Sequence, residues 1–71
     1  MSLINQLKDG PSKDFAKYCY EKFRVDELRS AVEGSADEAE MKRWDITEGE
    51  WHEAVAAALA DLEIEKHPPS E

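Results

Sequence analysis

Two histidines, one cysteine and seventeen carboxylates are the side chains through which this 71-residue chain would act as acid, base, nucleophile or metal ligand. Paired carboxylates do general acid/base work when burial and neighbours drive their pKa values apart. Here the acids gather at expected helix starts and on polar faces, where the helix dipole and water already account for them. A partner-binding acidic face is the functional alternative. His52 has Glu48 one helical turn before it and Glu50 and Glu53 close by, so two ligands share a face. No second histidine or cysteine stands at metal-ligand spacing, since His67 precedes Pro68-Pro69 and Cys19 falls in an apolar pattern. The segment Asp37-Glu38-Ala39-Glu40 lacks the alternating oxygen ligands and central glycine of a calcium loop. With no glycine-rich phosphate loop and no Ser/His/Asp or Cys/His grouping, the expectation is no catalytic residue, no metal and no cofactor.

The aromatic residues carry a different chemistry. Trp44 and Trp51 flank the Ile46-Thr47 joint, and their size in so short a chain assigns both to packing across that corner. The alternative is that one stays at the surface as an interface anchor, because tryptophan is enriched among binding hot spots. Tyr18, about 60° from Phe15 on a helical wheel, sits at the margin of its helix's apolar stripe and poses the same choice.

Charge is distributed unevenly. Residues 1–32 hold six Lys/Arg against five Asp/Glu, net +1, whereas residues 33–71 hold three against twelve, net −9, together the −8 of the whole. An acidic chain is a poor ligand for anionic lipid or for phosphate, both of which select clustered Lys and Arg. One cysteine cannot make an internal bridge, and no signal-like or membrane-length apolar run is present, so the expected location is the cytoplasm with no membrane partner.

These residues must be positioned by a single small domain, residues 1–66, followed by a short tail, 67–71. The pattern is all-α: a compact bundle of four to five short helices with a longer C-terminal helix. Leu3, Ile4 and Leu7 suit a first helix from Ser2 to Lys8, closed by Asp9-Gly10-Pro11. Ser12 is read as the cap of a second, from Lys13 to about Arg24, whose apolar face is Phe15, Ala16, Cys19, Tyr20 and Phe23. Asp26 would cap a third, burying Leu28 and Val32 and stopping at Gly34. Ser35 and Glu38 have capping-box spacing for a fourth to about Trp44. Thr47 and Glu50 repeat that spacing before the strongest helix, Glu48 to about Glu63, with Trp51, Ala54, Val55, Ala58, Leu59 and Leu62 on one face. Its reverse is expected to carry Glu53, Ala56, Ala57, Ala60 and Asp61.

Helix, tight joint and helix over Ala36–Leu62 loosely resembles a helix-turn-helix unit, with Met41, Trp44, Ile46, Thr47, Trp51 and Ala54 in core-like positions. It departs at Met41, where a small residue is usual, and at Asp45, where the turn favours glycine. The would-be recognition helix starts Glu48-Gly49-Glu50-Trp51-His52-Glu53, so it offers phosphates the wrong sign of charge. The resemblance therefore implies a shared corner geometry without DNA reading.

The function expected from these residues is a small non-enzymatic protein-interaction module, an inhibitor or adaptor docking on a basic partner surface, with nucleic-acid mimicry as one form of it. The partner-binding set is Glu48, Glu50, Glu53, Asp61, Glu63, Trp51 and Trp44. A homo-oligomeric structural protein joined through Ala56, Ala57 and Ala60 is the alternative. A degenerate helix-turn-helix DNA binder is less favoured, as is DNA contact through a stripe of Lys13, Lys17, Lys22, Arg24 and Arg29.

Overall fold

In the computed structural model, which describes residues 3–66, four α-helices and one 3-10 turn follow each other with no strand among the described residues. The helices are α1 (Pro11–Lys22), α2 (Val25–Glu33), α3 (Glu38–Trp44) and α4 (Glu48–Lys66), and the 3-10 turn is Ile4–Gln6. The all-α bundle expected from the pattern is the fold observed. The tail at residues 67–71 lies outside the described residues.

Three of the four helices are capped two residues from where the sequence pattern puts the cap, and α4 starts at Glu48 as expected. α1 begins at Pro11 rather than at Lys13, because proline's fixed φ and missing N–H suit the first helical position. Gly10 rather than Ser12 supplies the cap, at φ 147°, a backbone region that side chains disfavour. α2 is capped from Arg24 and not Asp26: the Glu27 carboxylate reaches back to accept from the Arg24 N–H at 2.9 Å. Asp37, two residues after the expected Ser35, caps α3 by accepting from Ala39 N–H at 2.9 Å and Glu40 N–H at 3.3 Å. At α4 the expected box forms in both directions, Thr47 N–H to Glu50 at 2.9 Å and Glu50 N–H to the Thr47 hydroxyl at 3.2 Å.

The corner between α3 and α4 turns on Asp45, whose φ of 56° and ψ of 51° are left-handed. Ile46 N–H then closes on the Met41 carbonyl at 3.0 Å, a Schellman-type stop that folds Ile46 inward, where it is buried. The glycine-like conformation that the corner requires is thus met by an aspartate.

α4 is the central element, packed on α1 along one side and on α2 along another, with the 3-10 turn across its C-terminal half. This arrangement widens its buried face beyond the expected single stripe. Trp51, Ala54, Val55, Ala58 and Leu62 are buried as expected, but so are Ala57 and Asp61 from the supposed reverse side, while Leu59 is only half-buried. Phe15, Ala16 and Cys19 of α1 and Leu28 of α2 complete the centre. Leu3, expected in the core, is exposed, and the first helix is reduced to the 3-10 turn, of which Ile4 alone is buried.

Candidate functional site

The seven candidate partner-binding residues separate into three environments. Glu48, Glu50 and Glu53 lie in the first turns of α4 with exposed side chains and no ion pair among the described residues. Lys8 lines the same shallow hollow as Glu50 and Glu53 without reaching ion-pairing distance. Glu50 is partly committed, since one oxygen accepts from Thr47 N–H. Glu63 is paired, 2.7 Å from the Arg29 guanidinium, which holds α2 and α4 together at an exposed point.

Asp61 does not belong to the acidic face. It is 9% exposed, and its two carboxylate oxygens accept from Leu3 N–H at 2.8 Å and Ile4 N–H at 3.0 Å. These N–H groups open the 3-10 turn and have no partner within it, so the carboxylate acts as a cap delivered by a distant helix. No local spacing signals such a contact. With Asp61 buried and Glu63 paired, the acids left exposed and unpaired from the candidate set lie in the N-terminal part of α4.

Both tryptophans belong to an aromatic cluster centred on Phe15. Its ring centroid is 5.6 Å from Trp44, 6.2 Å from Trp51 and 6.5 Å from Tyr18, and Tyr18 in turn stacks obliquely on Trp44 at 5.6 Å. Trp51 is 3% exposed, which makes it a core residue rather than a contact residue. Its indole Nε1–H donates to Glu40 at 3.3 Å, satisfying the polar edge that burial would otherwise strand. Trp44 and Tyr18 remain half-buried at the rim.

Electrostatics follows the placement. From Asp45 to Glu65 there are seven carboxylates and no lysine or arginine. With Asp61 buried and Glu63 ion-paired, the other five, Asp45, Glu48, Glu50, Glu53 and Glu65, stand exposed along α4 and its entry turn. Burial, and next the negative charge of Glu40, push the Cys19 thiol up from 9.0 to about 12, which leaves it protonated and unreactive in the folded protein. Among the described residues, no group of three His, Cys, Asp or Glu side chains is placed to hold a metal ion, and no helix is long and apolar enough to cross a membrane. The alanine surface is also smaller than its spacing implies: Ala57 is buried and Ala60 half-buried, leaving Ala56 exposed.

Comparison of the chain with protein-family models, curated proteins and solved structures gives no match.

Proposed function

We propose that the chain is a small non-enzymatic interaction module that docks a basic protein surface against the N-terminal part of α4. The observation that carries this reading is the exposed set Glu48, Glu50 and Glu53, which local structure uses only in part, through the Glu50 cap, and which makes no ion pair among the described residues. The helix dipole stabilises carboxylates in a first turn, so Glu48 and Glu50 have a structural role in any helix. Glu53 lies beyond that turn and has none.

A carboxylate face of this kind acts chiefly on encounter rate and on rejection of like-charged competitors. It also disfavours direct DNA reading by the corner formed by α3 and α4, because the helix that would enter the groove leads with acids. Nucleic-acid mimicry is the form in which the basic partner is itself a nucleic-acid-binding protein. A lone buried thiol suits work in the reducing cytoplasm.

The test is capture of a basic protein by the immobilised chain, compared with the double reversal Glu48→Lys and Glu53→Lys, which keeps the Glu50 cap. Retention by the native chain at low salt and loss in the variant is the expected result. Equal retention by both proteins would remove the acidic face from the account.

A further inference from the structure

A cleft of about 330 Å³ opens between α1, α2, the start of α3 and α4. Its accessible floor is apolar, made by the half-buried Phe23 and Ala31, with the buried Phe15, Cys19, Leu28, Val55 and Trp51 directly beneath. Three carboxylates, Glu27, Asp37 and Glu40, stand in its lining, and no lysine or arginine does. Each carboxylate is anchored by structural hydrogen bonds: Glu27 accepts from the Arg24 N–H, Asp37 from the Ala39 and Glu40 N–H groups, and Glu40 from the Trp51 indole. In each of the three, the structural bonds use one oxygen only, Oε1 of Glu27 and Glu40 and Oδ1 of Asp37. The charges are therefore held in place at the cleft while keeping a second oxygen for a ligand. Beneath the cleft the Glu40 charge adds to burial in raising the Cys19 pKa.

An apolar trough with fixed negative charge selects a side chain that is apolar along its stem and cationic at its head. Arginine fits better than lysine, because its planar guanidinium takes carboxylates through several N–H groups at once and is weakly hydrated. We propose that this cleft seats an arginine side chain of the basic partner protein, stem on the apolar floor and guanidinium among Glu27, Asp37 and Glu40. The inference rests on the reading of the chain as a binder of basic proteins and adds the residue that such a partner inserts.

The test is a titration of the ¹⁵N-labelled full chain with N-acetyl-arginine methylamide, against the same derivative of citrulline, which has the shape without the charge. The Trp51 indole N–H is the reporter, and that of Trp44, which does not line the cleft, is the internal control. The expected result is a saturable, salt-sensitive shift of the Trp51 indole and of the Phe23, Leu28 and Ala31 amides with arginine, little with citrulline, and a still Trp44. Glu27→Gln with Glu40→Gln keeps both hydrogen-bond acceptors and removes two of the three charges, leaving the Asp37 cap of α3 intact. It should weaken the arginine titration about tenfold or more. No shift at Trp51, an equal shift with citrulline, or a titration unchanged in the glutamine variant overturns the proposal. So does a Trp51 shift that grows with protein concentration alone, which would place a second copy of the chain in the cleft. The Glu48→Lys, Glu53→Lys protein separates the two readings. If it loses partner capture while the cleft ignores arginine, only the cleft assignment fails; if the cleft binds arginine while capture is indifferent to the reversals, the α4 face fails.

Discussion

Ile4 N–H and the Asp61 carboxylate, 57 residues apart in the chain, meet at 3.0 Å, and the second oxygen of Asp61 takes Leu3 N–H at 2.8 Å. One buried side chain thereby caps the N-terminal turn and fastens it across α4. The sequence pattern places Asp61 with the surface acids, so this pairing moves one carboxylate from the binding account to the stability account.

Asp61→Ala should therefore cost about 2–3 kcal/mol, since it leaves two N–H groups without their charged acceptor. For a domain of this size that is a Tm lower by roughly 10–20 °C. Asp61→Asn keeps one acceptor oxygen and should lose about half as much. A thermal melt of Asp61→Ala within about 2 °C of the native protein would show that the contact contributes nothing.

The exposed pair Arg29 and Glu63 gives the contrasting case. Despite its 2.7 Å separation, solvent screening limits it, and Arg29→Ala should change stability by about 0.5 kcal/mol or less. A measured loss above about 1.5 kcal/mol, insensitive to salt, would mean the pair is shielded in a way its exposure does not show.

Cys19 sets an alkaline limit. Its pKa is 9.0 as a free thiol and about 12 in the fold, raised first by burial and then by Glu40. Below pH 9 both states hold the proton and stability is unaffected. Between pH 9 and 12 the unfolded chain releases it while the native chain keeps it, so stability falls, by up to about 1.4 kcal/mol for each pH unit. Denaturant melts of native and Cys19→Ala proteins from pH 8 to 11 should show that limb in the first and its reduction in the second. Parallel pH profiles would argue that the thiol titrates equally in both states.

Asp45 holds a left-handed conformation that costs an L-residue about 1–2 kcal/mol. Asp45→Gly relieves it, offset by glycine's greater freedom in the unfolded chain, for a net change between zero and about 1 kcal/mol in favour of the fold. It also removes a carboxylate from the C-terminal end of α3, where the dipole disfavours it. A clear loss of stability on this substitution would point to a role for the Asp45 side chain that its backbone does not explain.

Several of these elements were readable from local spacing alone. The Thr47 and Glu50 box forms as its three-residue separation dictates, and the apolar periods of α1 and α4 bury Phe15, Cys19, Trp51 and Val55. Caps elsewhere shifted by two residues because adjacent candidates compete: Asp37 outdoes Ser35, and Pro11 draws the start of α1 ahead of Ser12. Ala57 and Asp61 could not be placed by periodicity, since their burial depends on which helices and turns flank α4. For the same reason the acidic set seen along the chain was too large: burial removes Asp61 and pairing removes Glu63, leaving Glu48, Glu50 and Glu53. The cleft between α1, α2, α3 and α4 had no local signature at all, because Glu27, Asp37 and Glu40 converge only in the fold.

The most direct test of that remaining face is the ionic-strength dependence of binding between the chain and the basic protein it captures. It should be measured for the native chain and for Glu48→Gln with Glu53→Gln, in which helix caps and size are kept. The native affinity should fall steeply with salt, and the variant should bind about tenfold or more weakly at low salt with a shallower dependence. Identical affinities and identical salt slopes for the two proteins would contradict a binding role for this face.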